Sequence, residues 1–285
     1  MGVRDRLRGL GETVTSAATA AGKDLVNRGA ARRSGAGTPG DWVAGVLGAL
    51  PAPAAPATEE WEFSLGTLVC RHPRVPAVTA KALRPLDGIG ALRFGPESVG
   101  FDGEDIPWEK VVRIQLHNAF ATMTTDGLDA EIDRVRELLP PLPGRKWAVT
   151  RVAEGLVAVV LAALEQAGDQ RLDDVDVAVE IVYRGALGRE RTLRAGLFTT
   201  ALLAHQVDVA YSLVVTAQHR GVPVVPADRS EPDAGAVERV RALRARTDAV
   251  KAQLQAEAAA EDPDGRPAAG AAAGDPAVTG TPYAG

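Results

Sequence analysis

The chain of 285 residues contains a single cysteine, Cys70, so no disulfide can form within it. That agrees with a reducing compartment. Aromatic residues make up only 4% of the chain, against 46% hydrophobic residues overall. Ala, Val and Leu must therefore carry most of the packing. The longest strongly apolar run, Leu156 to Leu164, has nine residues, whereas a bilayer needs about 20. The first ten residues, MGVRDRLRGL, carry charges where a signal peptide needs its apolar region. These features lead us to expect a soluble, uncleaved, cytoplasmic chain. Lysine is scarce, with five against twenty-seven arginines. This bias fits a GC-rich coding background and weakens arguments from arginine counts alone. The net charge of −5 gives no expectation of nucleic-acid binding.

Motifs that carry chemistry are also missing. None of His72, His117, His205 and His219 falls in an HExxH or other zinc spacing. Glu97, Asp102, Glu104, Asp105 and Glu109 follow turn chemistry and lack EF-hand spacing. No GxxxxGK[ST] loop is present, and no GxGxxG follows a strand. Ser64, Ser98 and Ser212 lack the GxSxG context of a hydrolase elbow. The expectation is no metal, no cofactor and no catalytic residue. An enzyme whose active site is assembled from scattered residues stays open as the alternative.

The most ordered-looking stretch is GALRFGPESVGFDGEDIPWEKVVRIQL, residues 90–116. Leu92 and Phe94 alternate with Arg93, the period of a half-buried strand. Gly95-Pro96 breaks the run, and Val99 and Phe101 resume it. Asp102-Gly103 is a strong two-residue hairpin signal. Pro107 sits at a strand start, where its missing N–H is tolerated. Val112, Ile114 and Leu116 share one face, opposite Arg113 and Gln115. The pattern predicts consecutive antiparallel strands with one face buried.

The order of Gly90, Leu92, Phe94, Val99, Phe101, Gly103, Ile106, Pro107, Trp108, Val112 and Ile114 resembles bacterial pleckstrin-homology-like and GRAM-like modules. The resemblance covers about a tenth of the chain. It implies a small β-roll that binds peptides, lipid headgroups or a partner domain, and it implies no catalysis.

Around the meander, residues 61–70 alternate with a phase shift at Gly66, which predicts a strand with a bulge. Residues 77–83 are a further candidate strand. Leu128, Ile132, Val135 and Leu138 predict a helix that stops at Pro140-Pro141. Residues 150–167 predict a core helix. Residues 175–183 alternate clearly and should pair with 191–198 across Gly185–Glu190. Residues 200–219 predict one helix, ended by Gly221 and Pro223.

The predicted fold is α+β: a pleckstrin-homology-like antiparallel β-roll over residues 59–222, with a helical insertion and a C-terminal helix, two small α+β domains being the alternative. Amphipathic helices and a disordered tail flank it. Residues 1–33 read as a basic amphipathic helix with Val3, Leu7, Leu10 and Val14 as its best apolar stripe. Seven basic residues against three acidic ones give this segment a local charge of +4. Such a helix can pair with a partner or itself, lie on an anionic membrane, or fray at Gly9, Gly11 and Gly22. Residues 34–58 read as a Pro/Ala/Gly linker holding a short apolar segment, Trp42 to Leu50. Residues 223–259 read as a linker and a charged helix, and residues 260–285 as a disordered tail.

Arg71, Arg74, Lys81 and Arg84 carry four positive charges with no acid between them, a candidate anion or headgroup site. A solvated loop in an arginine-rich chain is the competing reading. Arg184, Arg189, Arg191 and Arg194 form a second cluster of the same kind. These readings predict a non-enzymatic binding or scaffolding protein. Its partner is a protein or an anionic lipid headgroup, its place the cytoplasm or the inner face of the membrane, and its terminal helices can support oligomers.

Overall fold

The computed structural model describes residues 41–72, 84–88, 90–138, 145–167, 175–186, 188–226 and 236–260. The candidate strand at 77–83, the basic helix with Val3, Leu7, Leu10 and Val14, and the tail from 261 lie outside the described residues.

The fold is mixed α+β, with two four-stranded sheets that do not close into a barrel. The first sheet joins β1 (Trp61–Ser64), β2 (Ala91–Phe94), β3 (Ser98–Phe101) and β4 (Glu104–Pro107) in sequence order. All its pairings are antiparallel. The β3–β4 turn is Asp102-Gly103, with φ of 51° and 84°. Two successive positive φ values match the right-handed twist of the strands they join.

The meander leaves its sheet after β4. Trp108–Lys110 forms a 3-10 turn whose indole N–H donates to the Gly95 carbonyl at 2.8 Å. This buried anchor turns the chain, and β5 (Val111–Asn118) enters the second sheet. That sheet has the order β7-β6-β5-β8, from β6 (Asp176–Arg184), β7 (Glu190–Arg194) and β8 (Val224–Pro226). β6 and β7 form the expected hairpin, which shares its sheet with the last strand of the meander only. β8 runs parallel to β5. A phenol bridge spans the sheets, since Tyr183 donates to Glu104 at 2.6 Å.

Eight α-helices complete the described residues: α1 (Asp41–Gly48), α2 (Leu65–Cys70), α3 (Ala119–Thr122), α4 (Thr125–Leu138), α5 (Arg145–Ala167), α6 (Leu197–His205), α7 (Val207–His219) and α8 (Ala236–Ala260). The central one is α5, which contacts α1, α2, α4, α6 and α8. Val152, Leu156, Val159, Ala163 and Leu164 are all fully buried along it. One continuous apolar cluster runs from Val43 to Leu254 and includes both sheets. All five phenylalanines are fully buried in it. Scarce aromatics are thus concentrated where their large area counts most.

Four expectations need correction. The strand predicted over 61–70 stops at Ser64, whose hydroxyl accepts from the Thr67 amide at 3.0 Å and caps α2. The single helix predicted over 200–219 breaks at Gln206, and its halves meet at 101°. The residues read as a spacer are packed in part. Val43, Leu47 and Ala57 are buried, and Ser212 donates to the Ala54 carbonyl at 2.5 Å. The Ala57 amide donates to Thr216 Oγ1 at 2.9 Å, and Gln206 Nε2 donates to the Leu47 carbonyl at 2.9 Å. Finally, the charged helix α8 is no appendage, because Val240, Leu243, Val250 and Leu254 are buried against the domain. Among the described residues no single helix is long and apolar enough to cross a membrane.

Candidate interaction surface

The polar face of the first sheet carries a row of paired positions. Glu62 faces Arg93, Arg93 faces Gly100, and Gly100 faces Asp105. Gly100 leaves space for the Arg93 side chain to cross, so its guanidinium reaches Glu62 at 2.8 Å and Asp105 at 2.7 Å. A Cβ at Gly100 would lie 2.3 Å from Asp105 Oδ1. A concavity of about 200 Å³ lies here, lined by Glu62, Asp87, Ala91, Arg93, Gly100, Gly103 and Asp105. Its arginine is already held by three carboxylates, counting Glu60 at 3.2 Å. Hydrogen bonding to Glu62 pushes the Arg93 pKa up, which fixes its charge. The row therefore locks four strands together.

Two carboxyls with raised pKa values lie elsewhere, at the N-terminus of α6. Asp102 accepts from the Gly196 amide at 2.7 Å, from Thr199 Oγ1 at 2.9 Å and from the Ala91 amide at 3.2 Å. Burial pushes its pKa up, partly offset by these hydrogen bonds. Glu131, on α4, lies near the Leu197 amide and 3.4 Å from Arg134, and its Oε1 is buried without a hydrogen-bond partner. Burial first, and then the nearby Asp102 charge, push its pKa up to about 7, against the pull of Arg134. Asp102 thus satisfies an amide at the start of α6, and both carboxyls place acidic groups beside that helix's N-terminus. The sequence marks Asp102 as a turn residue and gives Glu131 no role of its own in the helix through Leu128, Ile132 and Val135. No local signal places either beside a helix that begins at Leu197.

The sign of the Glu131 effect follows from linkage. Its folded pKa is raised from 4.5 to about 7, so the native state holds this proton more tightly than the unfolded chain does. The associated stability is present below about pH 4.5 and is lost as pH rises through about 7. At 1.36 kcal/mol per unit the full swing reaches about 3 kcal/mol. Glu131→Gln should match the wild type near pH 4.5 and exceed it by up to about 3 kcal/mol at pH 8. Urea unfolding at the two pH values checks this, and equal gains at both would refute it. His205 acts in the opposite direction. Its pKa is lowered by burial, so its contribution is lost on acidification and cancels in the comparison.

Nucleophile candidates are tied down. Burial and then Asp87 push the Cys70 thiol up, which keeps it protonated. Ser64 is occupied as a cap and Ser212 donates to the Ala54 carbonyl. His72 packs edge-on against Trp42 at 4.9 Å. His117 lies 3.5 Å from Glu180.

The first arginine cluster is not assembled by the described residues. Arg71 is exposed at the end of α2, its guanidinium 5.6 Å above the Phe63 ring. Arg74 and Lys81 lie outside the described residues, as does the side chain of Arg84, at the head of the 3-10 turn Arg84–Gly88.

The second cluster is assembled. The β6–β7 hairpin closes through the Gly185 amide on the Arg189 carbonyl at 2.8 Å, and the Gly188 amide donates to the Gly185 carbonyl at 3.0 Å. Arg184, Arg189, Glu190, Arg191, Thr192 and Arg194 are all exposed. Four arginines and one glutamate leave residues 184–194 at a net charge of +3. Arg194 pairs with Glu180 across the strands, and Glu190 meets Arg113 at 3.3 Å. Arg184, Arg189 and Arg191 make no ion pair with a described residue. Leu138 and Tyr211 are the exposed large apolar residues among those described, and they lie on separate helices. The surface thus offers a basic hairpin in place of an apolar patch.

Comparison of the chain with protein-family models, curated proteins and solved structures finds no match.

Proposed function

We propose that this chain is a non-enzymatic binding module for a protein partner, with the β6–β7 hairpin as its contact surface. The observation that carries the proposal is the exposed basic hairpin, whose arginines 184, 189 and 191 are unpaired among the described residues. Clustered guanidinium groups recognise carboxylates with directional hydrogen bonds. The resemblance of residues 90–116 to pleckstrin-homology-like modules supports the same class of role, since such modules dock partners on a rigid β-framework. The departures are the parallel strand β8 and the transfer of β5 between open sheets. The enzyme reading draws less support. The concavity on the first sheet is small, its arginine is held in ion pairs, and the raised carboxyls Asp102 and Glu131 do not line it.

A photoreactive amino acid placed at Thr192 in cells should trap a discrete protein adduct. The same probe at Tyr211, exposed on α7 and outside the hairpin strands, should not. Equal labelling from both positions, or none from Thr192, would overturn the proposal.

A further inference from the structure

Strand edges differ in what their backbones can offer, and the pairing pattern shows which groups point outward. In an antiparallel pair, directly opposed residues alternate between exchanging hydrogen bonds and facing away. Across β6 and β7, Glu180 opposes Arg194, Tyr183 opposes Arg191 and Arg184 opposes Glu190. The Ala195 amide donates to the Val179 carbonyl at 2.7 Å, and the Gly185 amide to the Arg189 carbonyl at 2.8 Å. These anchors place Leu193 and Arg191 in the inward-bonding positions. The amides and carbonyls of Glu190, Thr192 and Arg194 therefore point away from the sheet. β7 is the last strand in its sheet, so this outer edge is unpaired among the described residues.

The other three edges are blunted. By the same reasoning, the Trp108 amide on the Glu97 carbonyl leaves Asp105 and Pro107 outward on β4, and Pro107 has no N–H to give. On β1 the Leu65 amide on the Gly90 carbonyl leaves Glu62 and Ser64 outward, but Ser64 is buried. β8 has three residues and ends in Pro226.

A free edge invites pairing with a second copy of itself, and charged side chains oppose that. Two β7 edges brought together would set two hairpins of net charge +3 against each other. An acidic strand reverses the sign of the same interaction. Arg191 and Arg194 are three residues apart and so project on opposite faces of the strand. Carboxylates on both faces of an incoming strand would find a guanidinium, with Arg189 and Arg184 at the hairpin end. A lipid headgroup could satisfy the charge but not the backbone edge.

We infer that β7 receives an extended acidic segment of a partner protein as an added strand, paired to the outward backbone groups of Glu190, Thr192 and Arg194. The inference rests on the binding role proposed above and specifies its mode. Strand addition takes affinity from main-chain hydrogen bonds and selectivity from flanking side chains.

The test uses the full chain and a fluorescein-labelled peptide of alternating glutamate and valine, followed by fluorescence anisotropy. A lysine-valine peptide and vesicles of anionic lipid serve as controls. The acidic peptide should bind and the basic peptide should not. Thr192→Pro removes the central outward N–H at an edge position that tolerates proline, and should weaken binding by about ten-fold or more. Thr192→Val keeps the N–H and should bind like the wild type. Arg191→Glu should weaken binding by about ten-fold as well, most clearly at low salt. Circular dichroism establishes that each variant is folded. Undiminished binding by Thr192→Pro with loss in Arg191→Glu overturns strand addition while leaving the hairpin as a binding surface. No acidic-peptide binding, or binding of anionic vesicles in its place, overturns the inference, and Thr192 cross-linking then decides the broader proposal separately.

Discussion

A chain shortened to begin at Glu59 should melt about 10 °C below one that begins at Asp41. The difference isolates residues 41–58, which include α1 and the proline-rich strap. Val43 and Leu47 are fully buried, and burying each such side chain is worth about 1.5–3 kcal/mol. Cutting them away also exposes the apolar surface of α5 beneath them. Four hydrogen bonds go with the strap, from Gln206, Ser212 and Trp61 side chains and to Thr216. Each contributes about 1 kcal/mol. Ordering entropy offsets part of this, but Pro51, Pro53 and Pro56 restrict the unfolded segment and keep that cost small. A net loss of about 3–4 kcal/mol corresponds to about 10 °C in a domain of this size. Equal melting temperatures in calorimetry would restore the spacer reading.

Asp102→Ala should be the most damaging single substitution, at about 4 kcal/mol. It leaves the amides of Ala91 and Gly196 and the hydroxyl of Thr199 without their acceptor. Unsatisfied buried donors cost about 1–3 kcal/mol each, softened where water can enter. The residue also sits at φ 51°, where a left-handed backbone costs an alanine about 1–2 kcal/mol. Asp102→Asn tolerates that backbone and keeps an acceptor for Ala91 and Thr199, so its loss should be about half as large. Either change removes the negative charge that helps to raise Glu131. The pH dependence of stability should flatten along with the loss. Similar stabilities for both variants in urea unfolding, with the pH dependence unchanged, would show that Asp102 is a turn residue and nothing more.

The meander was legible because its determinants are local. Alternation at Leu92, Phe94, Val99 and Phe101 sets the buried face, and Asp102-Gly103 sets the turn. The hairpin 176–194 and the helices α4, α5 and α8 were legible for the same reason. The transfer of β5 between sheets depends on Trp108 reaching Gly95 and on β6, which follows three helices later. The break of α6 from α7 depends on Gln206, whose side chain is committed to Leu47. The strap reads as a spacer by composition and becomes structure only through Ser212 and Thr216. Asp102 shows the limit most clearly, since its partner amide lies 94 positions away. At the hairpin, the arginines were visible in the sequence, but the direction of the backbone between them was not. That direction separates β7 from the other three edges.

Amide hydrogen exchange on the full chain tests the central claim most directly. In the free protein the amides of Glu190, Thr192 and Arg194 should exchange fast, and those of Arg191 and Leu193 should be protected by β6. Adding the glutamate-valine peptide should slow Glu190, Thr192 and Arg194 selectively and leave β1, β4 and β8 unchanged. Protection that appears on another edge, or a bound peptide that leaves these three amides fast, would contradict the account.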